Sequence, residues 1–308
     1  MGATNVPQSA GSRSYIIYAA ETTYGTAAAT PNLHFGLETN FEPSLKNNMK
    51  AHKGFKGSAT GGRDTLKYTA GKAELEFNLD FDLNNDVFLE HVLGTKTMGV
   101  YTGADFPKSI TVAHAIDNVD TDRDEIYKGC VINTCSIKGA EGEPVTCSLS
   151  LKAADMAKDA SLTANTALTD AAPYTFSEST FELPNGTALT NIINDFEISI
   201  ENNWTMHFGT SRKATAVTPG ERNYRIKLST KYVDDSLIEK AYGGTSIAAD
   251  TPTQNATFEI VLTRPDNATL TFLFTLAPID SYNLKAAINE PISESVDIMA
   301  ASLTVTKA

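Results

Sequence analysis

The sequence predicts a mainly β protein, built as two tandem β-sandwich or partly open barrel units, each with one flanking short α-helix. Three observations predict it: a repeated pair of segments, period-two alternation of apolar and polar residues, and turn residues between the alternating runs. FEPSLKNN, from Phe41, returns as FEISIENN from Phe196, and NNDVFLEHVLGT, from Asn84, returns as VDDSLIEKAYGGT from Val233. The order of parts repeats too. In each copy the first element leads into a long polar loop, then an alternating segment, then a short helix closed by Gly94 or Gly243. Two copies of one β-rich unit can present quasi-equivalent faces to neighbours, which suits a ring-building block better than a catalyst.

The parts are read in order as an N-terminal arm over residues 1–32, a first β unit over 33–152, a linker over 153–173 and a second β unit over 174–308. The linker is rich in Ala, Thr, Asp and Ser and has no sustained apolar period. In the first unit, Lys72–Leu83 puts Ala73, Leu75, Phe77, Leu79, Phe81 and Leu83 on one side of a strand. Glu74, Glu76, Asn78, Asp80 and Asp82 fall on the other, as in a half-buried antiparallel strand with a carboxylate stripe on its open face. The matching segment, Glu221–Tyr232, puts Tyr224, Ile226, Leu228 and Tyr232 inside, with Thr230 as an interruption, and Arg225, Lys227, Ser229 and Lys231 outside. One copy is acidic there and the other basic.

Each of these strands runs into a helix that Asn85 or Asp234 can cap and that a glycine stops. Further strands are expected from Ser109 (SITVAHAI), Gly129 (GCVINTCSI), Val145 (VTCSLSLKA), Thr257 (TFEIVLTR), Thr269 (TLTFLFTLA) and Ser295 (SVDIMAASLTV). Turns between them come from Gly139–Pro144 and Pro265–Asn267.

A chain of 308 residues buries a large core without staples. Its net charge of -12 argues against a partner gripped through phosphates, which needs a basic surface. Cys130, Cys135 and Cys147 are an odd number without CxxC spacing, fitting neither a disulfide framework nor a zinc site and pointing to a reducing, cytoplasmic assembly environment. Only a short apolar patch, Tyr15–Ala20, lies near the start, so neither a signal peptide nor a membrane span is expected there.

No P-loop, GxSxG, HExxH or Rossmann fingerprint occurs, and the five histidines are scattered singly. DFDLNND from Asp80, and Asp120, Asp122 and Asp124, alternate like the start of a calcium loop. Asn85 or Glu125 replaces the turn glycine, however, and the first run has His91 where the bidentate Glu belongs. Neither a cofactor nor a metal is expected.

Two features remain. The loop between Leu45 and Thr69 carries Lys46, Lys50, Lys53, Lys56, Arg63 and Lys67 against a single acid, Asp64, and four glycines. Loops of that length in compact domains are functional or disordered, and this one fits docking to an acidic surface on another subunit. The stripe Glu74, Glu76, Asp80, Asp82 reads either as a solvated sheet face or as the wall of a passage that repels a polyanion.

The ETTYGT segment at Glu21, the sandwich with a long early loop and a helix ending in Gly, YKGCVINTCSI from Tyr127, and FEISIENN together resemble the tail tube proteins of long-tailed bacteriophages and related archaeal viruses. The resemblance covers most of the chain and carries no active-site residues, because that family is structural. It implies rings whose inner sheets join into one barrel, with the long loops and arms linking rings. Lys46, Lys50, Lys53, Lys56, Arg63 and Lys67, with Arg212 and Lys213 in the second unit, are then candidates for contact between rings.

It further implies homotrimeric rings of pseudo-six-fold symmetry, stacked helically, in preference to a homohexamer. About 24 strands at ~4.8 Å spacing and ~40° tilt would close a circle near 50 Å wide. Double-stranded DNA would pass without specific binding. Tape measure, tail terminator and distal tail proteins are the implied partners, and a membrane is not. Glu74, Glu76, Asp80, Asp82, Arg225, Lys227 and Lys231 then face the lumen or an adjoining unit. Three arrangements fit: opposite charges alternate around the wall, they meet between units, or these faces lie elsewhere.

Two rivals differ in class. A carbohydrate-binding or adhesive β-sandwich would expose aromatics for stacking on sugars, whereas Trp204 is the only tryptophan. A metal-assisted hydrolase would have to assemble around Asp120, Asp122 and His114.

Overall fold

Along Glu74–Asp82, Phe77, Leu79 and Phe81 are buried while Glu76, Asn78 and Asp80 are exposed, so period-two patterning decides which face meets the core. A computed structural model describes residues 14–28, 30–53, 66–116, 123–159, 171–247 and 257–308. Its strands in the first half are β1 (Ser14–Ala20), β2 (Leu37–Lys46), β3 (Lys50–Lys53), β4 (Leu66–Thr69) and β5 (Glu74–Asp82). After α1 (Leu89–Leu93) come β6 (Gly94–Thr97), β7 (Val100–Gly103), β8 (Ile110–Ile116), β9 (Arg123–Ala140), β10 (Thr146–Ala153) and β11 (Asp155–Asp159). The second half holds β12 (Thr175–Glu182), β13 (Ile192–Glu201), β14 (Thr205–His207), β15 (Ala216–Thr218) and β16 (Asn223–Lys231). After α2 (Ser236–Tyr242) come β17 (Phe258–Thr263), β18 (Thr269–Thr275), β19 (Ile279–Lys285), β20 (Ser293–Ala300) and β21 (Ser302–Lys307).

The strands form two large sheets, consistent with a β-sandwich and with no closed barrel. The larger follows the order β19-β20-β16-β13-β9-β10-β5-β2, and the smaller is β12-β17-β18-β21-β7-β6. One buried cluster joins Phe77, Leu79 and Phe81 to Phe196, Ile198 and Ile200 and to Phe258, Phe272 and Val305 of the smaller sheet.

Inside the larger sheet a four-strand pattern occurs twice. The order β2-β5-β10-β9 is matched by β13-β16-β20-β19, and in each set a small hairpin, β3–β4 or β14–β15, separates the first two strands. Registers agree residue by residue. Phe41 opposes Leu79 as Phe196 opposes Leu228, and the bulge between Ser150 and Leu151 in the β10–β9 ladder recurs between Ile279 and Ser281 in the β19–β20 ladder. Every pairing along this path is antiparallel, so β2 and β13 point the same way and both hairpins leave the sheet at the same end.

Both helices end as the glycines predict: Gly94 (φ 114°) donates to Glu90 O and Gly243 (φ 82°) to Glu239 O, each in the left-handed region. The starts differ from expectation. The N-caps are Phe88 and Asp235, without side-chain caps. Asn85 is occupied in donating to Phe35 O at 2.8 Å and His34 O at 3.2 Å, and Asp234 accepts from Ser236 N at 2.9 Å.

Ser295–Val305, read as one strand, is two. The chain breaks at Ala301, whose N–H turns to Thr275 O and Leu276 O, and β20 and β21 belong to different sheets. Thr230 does not interrupt its strand. It is fully buried, and its hydroxyl donates to Glu294 Oε2 at 3.1 Å, so a polar residue is satisfied inside the core. Ser14–Ala20 of the arm pairs with β8, and Asp155–Asp159, within the segment read as linker, pairs with β9.

Candidate functional site

The first surface is the pair of hairpin loops, and their bases are built alike. After β2, Asn48 takes φ 42° and its amide donates to Lys72 O at 3.2 Å, while Gly71 N donates to Asn47 O at 3.2 Å. After β13, Asn203 takes φ 51°, its amide donates to Glu221 O at 2.8 Å, and Gly220 N donates to Asn202 O at 3.3 Å. Asn tolerates the left-handed region and bonds local backbone, so the Asn-Asn word closes each loop. The hairpins repeat as well: His52 Nε2 lies 2.9 Å from Thr69 Oγ1, and His207 Nε2 lies 2.8 Å from Thr218 Oγ1.

Of the basic candidates, Lys46, Lys50 and Lys67 are exposed, at the end of β2 and on the first hairpin. Lys53 ends β3. Lys56 and Arg63 lie outside the described residues. Arg212 is held within the chain, with Nε donating to Gly71 O at 3.1 Å and an Nη to Asn47 Oδ1 at 2.9 Å, while its own carbonyl accepts Ala73 N at 2.8 Å. The second loop is thereby tied to the root of the first. Lys213 Nζ contacts Asp155 Oδ2 at 2.8 Å.

The second surface is the face of the larger sheet opposite the core. Glu74, Glu76, Asp80 and Asp82 lie there on β5, and Arg225, Lys227 and Lys231 on β16. Burial, then the charge of Glu38, pushes the Asp82 carboxyl up. The basic strand sits between acids. Glu197 opposes Lys227 from β13, Ser229 donates to Asp195 at 2.8 Å, and Arg225 meets Asp297 of β20 at 3.2 Å. Opposite charges therefore alternate from strand to strand in the second half.

Where the two halves join, Lys138 Nζ on β9 lies 3.2 Å from Glu197 Oε1 on β13, and Ser136 Oγ donates to the same oxygen at 2.8 Å. Burial works to raise the Glu197 carboxyl, but those two hydrogen bonds and the Lys138 and Lys227 charges outweigh it and hold the group below its usual range.

Among the buried carboxylates that sequence reasoning missed are two held by several donors from distant strands. Glu21 accepts from Gly25 N (2.9 Å), Ser109 Oγ (2.7 Å), Thr111 Oγ1 (2.9 Å) and Gly129 N (2.8 Å), pinning the ETTYGT segment to β8 and β9. Asp86 accepts from Tyr101 OH and, at 2.5 Å, from Lys307 Nζ.

Trp204 is buried, with its indole N–H donating to Ile132 O at 3.0 Å, which removes it from any sugar-stacking surface. His114 Nδ1 lies 4.0 Å from Glu125 Oε2, and Asp120 and Asp122 lie outside the described residues. Among the described residues no cluster of three metal-ligating side chains forms, and no helix is long and apolar enough to cross a membrane. A family model described as phage tail tube protein matches residues 11–306. No curated protein matches the chain.

Proposed function

We propose, from the premise that this chain belongs to the phage tail tube protein family, that it polymerises as stacked rings into the hollow tube that conducts viral double-stranded DNA. It is a structural protein of the virion tail, acts without catalytic turnover and is assembled in the host cytoplasm. The observation that carries this reading is the doubled four-strand set. Two like sets lie side by side in one sheet with strands in the same sense, as a rotation about a tube axis requires.

Three copies of the eight-strand path supply about 24 strands for one inner wall. The two units, residues 33–152 and 174–308, then occupy quasi-equivalent positions in a trimer of pseudo-six-fold symmetry. The open face of the larger sheet lines the passage. Its carboxylates, in a chain of net charge -12, let DNA slide, and two of its cations, Arg225 and Lys138, are engaged by neighbouring acids. Both hairpin loops leave the same end of the sheet, and the Lys-rich loop docks on the next ring. Tape measure, tail terminator and distal tail proteins cap or fill the tube.

Negative-stain imaging of purified protein tests this. Rings or hollow tubes are expected. Stable monomers with glycan affinity, or metal-dependent turnover, would overturn it.

A further inference from the structure

We infer that the free edge of β19 in one copy pairs antiparallel with the free edge of β2 in the next, in the register that joins β9 to β13 inside each chain. The inference rests on the ring-forming reading above, and it names the strands and residues of the ring-closing contact.

Residue equivalence follows from the ladders. Phe41 corresponds to Phe196, and the matched bulges carry β9 onto β19, so that Lys138 corresponds to Lys285, Ile137 to Leu284 and Ile132 to Ile279. Inside the chain Lys138 opposes Glu197, Ser136 opposes Ser199 and Cys135 opposes Ile200. Translated, Lys285 opposes the partner's Glu42, Asn283 the partner's Ser44 and Tyr282 the partner's Leu45. Both charges recur with the same sign at the same place.

Three exposures have the sense expected of an unfilled joint. Leu45 is 51% and Leu284 50% exposed, whereas their counterparts Ile200 and Ile137 are 0% exposed. Met49, 58% exposed, stands where Trp204, 3% exposed, covers β9. Among the described residues β2 and β19 are the two ends of the strand path, each with one face of its backbone unpaired. Among the described residues Lys285 pairs only with the exposed Glu290, at 3.4 Å, and is available for exchange. Pro43 replaces Ile198 and withholds one backbone donor from β2.

Oxidation of the doubly substituted chain Ser44→Cys, Asn283→Cys tests the register, since Cys130, Cys135 and Cys147 are buried. Covalent dimers and a ladder ending at trimers are expected. The chain Ser44→Cys, Ser281→Cys, two residues out of register and so roughly 7–8 Å apart, beyond the reach of a disulfide, should not cross-link. Lys285→Glu should weaken association about tenfold or more, and adding Glu42→Lys should restore it. Rings that form while the in-register pair stays unlinked, or while the shifted pair links equally well, overturn this inference and leave the tube reading standing. Failure of the charge exchange to rescue overturns it equally. A chain that never forms rings at high concentration overturns both.

Discussion

Asn48 and Asn203 do one task in two places: each sits in left-handed backbone, at φ 42° and 51°, and each bonds the carbonyl of the residue after a glycine. Those glycines admit no side chain. A Cβ at Gly71 would lie 2.1 Å from Asn48 O, and one at Gly220 would lie 2.6 Å from Asn203 O.

Gly71→Ala and Gly220→Ala should therefore each destabilise the fold by about 2 kcal/mol, because backbone must move to admit the methyl. Thermal denaturation checks this. Asn203→Gly, which keeps the left-handed turn and loses only the amide bond, should cost about 1 kcal/mol or less.

Glu21→Gln should destabilise by about 2 kcal/mol, since four donors converge on a carboxylate that an amide cannot replace without turning a donor toward donors. A denaturant midpoint measured on the single variant reads it directly.

Asp86 gives a signed pH prediction. Burial favours its neutral form, but the Lys307 and Tyr101 hydrogen bonds and the Lys307 and Lys96 charges prevail and depress its titration below the ordinary 3.8. A carboxylate depressed in the folded state stabilises at pH above its unfolded value, and that stability is lost as pH falls through the folded one. Asp86→Asn should cost about 2–3 kcal/mol at neutral pH. The difference from the unsubstituted chain should shrink below about pH 4, which equilibrium unfolding across an acid series would show.

Reversing Lys50, Lys53 and Lys56 to Glu should stop tubes from growing while leaving the subunit folded. Circular dichroism and negative-stain imaging of the same sample separate the two effects. Tubes of unchanged length would remove the loop from the contact between rings.

Replacing Glu74, Glu76, Asp80 and Asp82 by Lys should give a chain that binds duplex DNA with steep salt dependence, where the unsubstituted chain is expected not to bind. Gel-shift titrations at two salt concentrations measure this on assembled tubes. No change would mean that this face does not line the passage.

Much of the fold was legible because alternation and repetition are local signals. β5, β16 and the glycine stops of both helices follow from residue order alone. β19 was not legible. As an edge strand it buries little, and IDSYNLK shows no clean alternation. The two hairpins were too short and polar to announce themselves, although extending the repeat from Asn48 and Asn203 would have aligned His52 with His207. The carboxylate sites could not be read from order. The donors to Glu21 include Ser109 and Gly129, and the partner of Asp86 is Lys307, so only the folded chain brings them together.

The seam between β9 and β13 lies within one chain, so no second molecule is needed to form it. A closed circle of such chains can gain or lose units only in twos, so a count that is off by a single unit cannot arise. The nearest miscount is a whole molecule, about a third of the circumference of a trimer. In the proposed trimeric ring curvature alone would then reject it, and the bore would stay uniform along the tube without any separate gauge.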